Sequence, residues 1–214
     1  MKINNKINFG KWNSYADYTY SSNRRPLTEY PMRLGTWLKE NIFLKTGKIA
    51  DFGCGRGDYL DVFSELGFEP YGLDISERVL DIDKHHVKQV DFVNDKVYIS
   101  EKMDFIFTKS VIEHLHDPSH FLSKMLDTLK DQGKVVIMTP SWAHSYWGPF
   151  YIDHTHVTPF TKYSLRAALG LRMFKSFILI SCPYYGNIHS LNLYLSYLRS
   201  SLSPMLPTMM FLGK

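Results

Sequence analysis

The chain has 214 residues, with 25 Lys and Arg against 21 Asp and Glu for a formal charge of +4, which is enough for one sizeable α/β domain. These charges are interleaved rather than gathered in a basic run that would track phosphates, so nucleic acid is not the expected partner. Cys54 and Cys182 make neither a metal pair nor a disulfide framework, and no apolar run has the length of a signal peptide or a membrane span; a cytoplasmic protein is expected.

Residues 1–30 open the chain with a polar, aromatic stretch of no clear period. Tyr15, Tyr18, Tyr20, Arg24 and Arg25 make it a candidate lid, the alternative being a loosely docked tail. From Tyr30 to Leu44, Met32, Leu34, Trp37, Leu38 and Ile42 share one helical face. Lys48 to Ala50 reads as the end of a buried strand, and Gly53, Gly55 and Gly57 then let the backbone turn tightly around a ligand. Leu60, Phe63 and Leu66 recur at helical spacing up to Gly67, so the loop opens onto a helix N-terminus. A dinucleotide fingerprint would need glycine where Asp58 stands, which argues against a nicotinamide-dependent oxidoreductase. Asp51, at the strand's end, suits a cation better than a pyrophosphate.

Glu69 to Ile75 is the second predicted strand, and its terminal Asp74 is placed to accept hydrogen bonds from ribose hydroxyls. Ser76 caps a short helix, and Val87 to Val90 forms a third strand ending at Asp91 and Phe92. Met103 to Thr108 is the fourth, running on through Lys109 and Ser110 to Glu113, His114 and Leu115. Asp117 and Pro118 start a helix with a buried stripe from Phe121 to Leu129; Gly133 is expected to stop it, and Lys134 to Thr139 to form the fifth strand. Strands alternating with helices imply a doubly wound, mostly parallel sheet with ligands at the strands' carboxyl ends.

The stretch I-A-D-F-G-C-G-R-G-D-Y from Ile49 to Tyr59 resembles motif I of the class I S-adenosylmethionine-dependent methyltransferases. Glu113-His114-Leu115 resembles the segment that follows strand four in that family, and D-H-T-H-V-T-P-F-T from Asp153 is similar to one found after strand five in methyltransferases of sugar and cell-surface glycan pathways. The resemblance is specific over residues 49–139 and looser over 140–214. It implies a single Rossmann-like α/β domain spanning 1–214, with a mostly parallel seven-stranded sheet whose last strand, Met209 to Leu212, is antiparallel. It also implies S-adenosylmethionine as cofactor. Asp51, Gly53 and Gly55 would hold its methionine end, Asp74 its ribose, Asp91 and Phe92 its adenine, and Lys109 the wall near the sulfonium, with Phe52, Cys54, Ile75 and Ser110 also binding the cofactor. For Asp91 a turn aspartate is the competing reading.

The segment 140–160 is rich in Trp, Tyr and His and is expected to face the methyl acceptor. His154 or His156 is the expected base for a hydroxyl acceptor, with Asp153 orienting a histidine or acting itself. The same three residues are plausible metal ligands, but no further ligand stands nearby with a familiar spacing, so no metal is expected. Thr161 caps a helix to Leu169, and F-I-L-I between Lys175 and Cys182 is the sixth strand. Apolar residues from Ile188 to Leu202 form a stripe read as core or dimer face, with weak membrane-surface contact as the alternative. The expected function is methyl transfer to the hydroxyl oxygen of a small molecule or glycan precursor, set against a non-catalytic cofactor-binding protein on the same scaffold.

Overall fold

The computed structural model describes residues 29–96, 98–142, 149–170, 178–181 and 209–213. Helix α1 (Glu29–Leu38) runs into a single π turn, Lys39–Phe43, and is followed by β1 (Lys48–Phe52), α2 (Asp58–Glu65) and β2 (Glu69–Asp74). Then come a 3-10 turn at Glu77–Asp81, β3 (His86–Gln89), β4 (Met103–Lys109), a 3-10 turn at Ile112–His114, α3 (Pro118–Thr128) and β5 (Leu129–Thr139). A 3-10 turn at Pro149–Ile152, α4 (Lys162–Gly170), β6 (Ile178–Ser181) and β7 (Met209–Gly213) complete the order.

The strands form one sheet in the order β3-β2-β1-β4-β5-β7-β6. Its centre is legible in residue pattern: along β1, Ile49 packs into the cluster of Leu34, Phe43, Phe63 and Phe105, while Ala50 and Phe52 face that of Phe92, Tyr98, Phe121 and Ile137. Both faces are covered, so the strand is apolar throughout, as a parallel strand between two helical layers must be. Asp117 starts α3 as expected, its Oδ1 accepting from the N–H groups of Ser119 and His120 at 3.0 and 3.3 Å.

Two expectations are corrected. The last strand is parallel, not antiparallel: Met209–Gly213 pairs in parallel register with Val135 to Thr139 and with Ile178 to Ser181. A parallel neighbour needs a crossover of about a dozen residues or more, and residues 182–208 supply enough chain for one. Gly133 does not end the helix after Asp117. Leu129 already has extended backbone with ψ 144, so α3 stops at Thr128 and β5 begins five residues earlier than expected, Gly133 lying inside it. The lid proposed over residues 1–30, apart from Glu29 and Tyr30, lies outside the described residues, as do Cys182, the stripe at 188–202 and most of the aromatic run at 143–148. Among the described residues no helix is long and apolar enough to cross a membrane.

Candidate active site

The glycine loop is tied to the carboxyl ends of β1 and β2. Gly53 has φ +88 and donates its N–H to Leu73 O at 2.7 Å, with Cys54 N donating to the same oxygen at 3.0 Å. A Cβ at Gly53 would stand 2.1 Å from Val111 Cγ2, so this residue must be glycine on both conformational and steric grounds. Asp74 clamps the far side: Oδ2 accepts from Gly55 N at 2.8 Å and Oδ1 from Ser76 N at 2.9 Å. Burial raises the Asp74 carboxyl above the ordinary carboxylate range, against the opposing pull of those N–H groups. A carboxylate has about four lone-pair sites, so both oxygens keep capacity for ligand hydroxyls.

Asp51 is buried at 2 % exposure on β1. Burial first, and the neighbouring Asp74 second, push its carboxyl up to about 8, while Lys109 at the end of β4 pulls it down. Two acids this close in a desolvated loop are relieved by a positive ligand group, which is how the site fits an ammonium and a sulfonium. Ser110, next to Lys109, has φ +57 and donates its N–H to Met138 O at 2.8 Å. A serine in the left-handed region at a strand end is a strained position of the sort found at ligand sites, and nothing in composition announces it.

The end of β3, where an acid-plus-ring pair for adenine is expected, is arranged differently. Asp91 Oδ1 accepts from Val93 N at 2.8 Å and Asn94 N at 3.2 Å, and Oδ2 from Asn94 Nδ2 at 2.8 Å. The carboxylate therefore builds its own turn. Phe92 is 6 % exposed and stacks on Phe52 at 5.8 Å, with Tyr98 and Phe121 edge-on at 5.3 and 5.2 Å. Ile75 is half-buried, and its carbonyl accepts from Gln89 Nε2 at 3.0 Å.

Beyond the ends of β4 and β5 the fold joins two segments distant in sequence. Glu113, fully buried just after β4, accepts from Thr139 Oγ1 at 2.8 Å through Oε2, and its carbonyl receives the N–H groups of Val157 and Thr158 at 2.9 and 3.0 Å. His156 Nε2 lies 3.9 Å from Glu113 Oε1 and 3.9 Å from Asp153 Oδ2, and its Nδ1 is 2.6 Å from Phe150 O. Asp153 Oδ1 accepts from Thr155 N and Oγ1 at 2.9 and 2.6 Å, and that hydroxyl oxygen is 2.9 Å from His114 Nδ1. The His114 and His156 rings approach to 4.7 Å. Burial, and then His156, lower the pKa of His114 to about 4, so it is neutral at physiological pH. His154 stands exposed on the surface of the loop. Of the expected base candidates the structure thus gathers His156 and Asp153 and leaves His154 outside. It adds Glu113 and His114, whose only sequence signal was the Glu-His-Leu run after strand four. The ligand atoms of Glu113, His114 and His156 lie within 4.8 Å of one another, a set that can hold a metal ion.

A glycine loop between strand-end acids on a sheet ordered 3-2-1-4-5 at its described core defines a Rossmann-like fold of the class I S-adenosylmethionine-dependent methyltransferases. Residues 20–174 match the family described as methyltransferase domain, and the chain belongs to that family. It is 28 % identical over 160 residues to a ubiquinone biosynthesis O-methyltransferase of Pelagibacter ubique, covering 65 % of this chain and 66 % of that protein. It is 26 % identical over 117 residues to the protein of the same name in Coxiella burnetii, covering 51 % and 50 %. The chain therefore spans between half and two thirds of the length of these curated relatives. A crystal structure of a SAM-dependent methyltransferase from Archaeoglobus fulgidus superposes with TM-score 0.58 at 19 % identity, covering 92 % of this chain and 95 % of that one, which supports the fold.

Proposed function

We propose that this chain transfers a methyl group from S-adenosylmethionine to a hydroxyl oxygen of a small molecule. The observation that carries the reading is the pair of desolvated acids at the ends of β1 and β2, Asp74 clamping the glycine loop and Asp51 buried beneath it. Bound there, the cofactor supplies an electrophilic methyl group for in-line displacement, which the protein promotes chiefly by orientation. In this reading Asp51, Phe52, Gly53, Cys54 and Gly55 hold the methionine end and Asp74 and Ile75 the ribose. Asp91 acts through the turn it builds at the adenine end, Phe92 backs that turn from the core, and Lys109 and Ser110 border the sulfonium. Residues 1–214 act as one domain, with 1–30 as lid and 140–160 as the acceptor side, where His156 and Asp153, and no longer the exposed His154, are the candidates for handling the acceptor's proton.

The relatives named as ubiquinone biosynthesis O-methyltransferases support oxygen as the atom methylated, and they favour a small molecule over the glycan precursor suggested by the Asp153–Thr161 resemblance. Calorimetric titration with the cofactor and with its demethylated product tests the reading, binding being expected in the wild type and lost in Asp74→Ala. Release of labelled methyl to a phenolic or alcoholic acceptor then separates an enzyme from a cofactor-binding scaffold. Failure to bind either compound would overturn the proposal.

A further inference from the structure

We propose that Glu113, His114 and His156 form a binding site for a divalent transition-metal ion of the zinc class at the acceptor side of the sheet. The inference rests on the reading of this side given above, and it makes His156 a ligand rather than a free base. Two imidazoles and one carboxylate with a remaining open position are a donor set that suits zinc, whereas magnesium and calcium favour oxygen-only surroundings.

Hydrogen-bond direction is what points to a metal. Phe150 O is a carbonyl and can only accept, so at 2.6 Å His156 Nδ1 must carry the proton, which puts the lone pair on Nε2. The single proton of Thr155 Oγ1 goes to Asp153 Oδ1, so the same hydroxyl accepts from His114 Nδ1, and the lone pair of His114 is likewise on Nε2. Both rings are thus fixed in the tautomer that ligates through Nε2. A carbonyl behind one and a hydroxyl-carboxylate relay behind the other are the supports metal-bound imidazoles ordinarily have. In front of His156 Nε2 stands not a donor but Glu113 Oε1 at 3.9 Å, with Asp153 Oδ2 at the same distance. A lone pair thus faces a carboxylate oxygen in a buried place, an arrangement that attracts a cation between them.

The spacing is near what an ion requires. Tetrahedral bonds of about 2.0–2.1 Å separate ligand atoms by about 3.4 Å, and one ring nitrogen of each histidine and a Glu113 oxygen lie within 4.8 Å of one another, so side-chain shifts of about an ångström close the site. The carboxylate is held for the purpose: Thr139 Oγ1 fixes Oε2, and the main-chain bonds from Val157 and Thr158 to Glu113 O keep the His156 segment against it. An acceptor hydroxyl in the open position would have its pKa lowered by the ion, release its proton to water, and present the anionic oxygen.

The test uses the full chain stripped with a chelator, titrated with zinc in a calorimeter and checked for metal content by mass spectrometry. One equivalent is expected, with affinity at least tenfold weaker in His156→Ala and Glu113→Gln and retained in His154→Ala. Because buried Glu113→Gln can fail to fold, His156→Asn is measured beside it by thermal unfolding: zinc should raise the midpoint of the wild type and leave that of the variant unmoved. No zinc uptake, or uptake undiminished in both His156 variants, would overturn the site. Titration of the same wild-type sample with demethylated cofactor separates the two ideas. Intact cofactor binding without zinc uptake removes only the metal site, whereas absent cofactor binding removes the reading on which it rests.

Discussion

On the proposed cofactor map, Asp51 gives the end of β1 a pH dependence opposite to that of an ordinary stabilising carboxylate. Burial and Asp74 outweigh Lys109, so its carboxyl holds a proton up to about 8, against 3.8 for the free group. The folded state therefore binds more protons than the unfolded chain across that window, and the contribution is complete below about pH 4 and lost as pH rises through about 8. At about 1.4 kcal/mol per pH unit the whole window amounts to at most roughly 6 kcal/mol. A cationic ligand meets the reverse preference, since it needs the ionised acid. The ionised fraction rises from roughly 1 % at pH 6 to about a quarter at pH 7.5, where the ligand's α-ammonium is still mostly charged, so affinity should rise on the order of 25-fold. Calorimetric titration of the demethylated product at both pH values, in wild type and Asp51→Asn, reads this directly. Asp51→Asn should bind weakly and without the rise, and its thermal midpoint should lose the fall between those pH values. A flat wild-type affinity, or an equal rise in Asp51→Asn, would refute the assignment of Asp51 as the grip on positive charge.

Asp74→Ala removes the acceptor of both the Gly55 and Ser76 N–H groups and should weaken cofactor binding more than tenfold, measured by equilibrium dialysis. Thr139→Val takes away the 2.8 Å bond to buried Glu113 and should cost about 1–3 kcal/mol in urea unfolding; an unchanged midpoint would show that Glu113 is held by other means. Phe92→Ala empties the ring cluster with Phe52, Tyr98 and Phe121 and should cost about 3–5 kcal/mol. Phe92→Leu should keep cofactor affinity if Phe92 supports the Asp91 turn from behind, and loss of affinity at retained stability would put its ring against the adenine instead.

The parts of this fold written in local chemistry were readable. The helix start at Asp117 and Pro118 and the positive-φ glycines at 53, 55 and 57 follow from which residues tolerate which backbone, and they appear where expected. The direction of β7 was not readable, because four or five apolar residues specify burial but carry no sign of which way the strand runs. The end of α3 differs for a related reason: Gly133 is a common stop signal, yet Leu129 is already extended and pairs with Met103, and the chain bulges through 130–133 before regular pairing resumes at Lys134. At the candidate site, the acids at strand ends were legible because topology sends them there. The link between Glu113 and His156 was not, since sequence spacing says nothing about a loop folding back across the exit of another strand. Once that loop is placed, the absence of a metal-ligand spacing within 153–156 loses its force.

The excursion after β5 is closed at its base. Ser141 pairs with Phe160, Trp142 N donates to Phe160 O at 2.8 Å, and Thr158 Oγ1 donates to Leu115 O at 2.6 Å. Its feet are thus riveted to the scaffold, and Phe150, buried and holding His156 through its carbonyl, pins it again from within. On the function proposed above, a change of acceptor would therefore have to come from side chains carried on a fixed loop rather than from moving the loop itself.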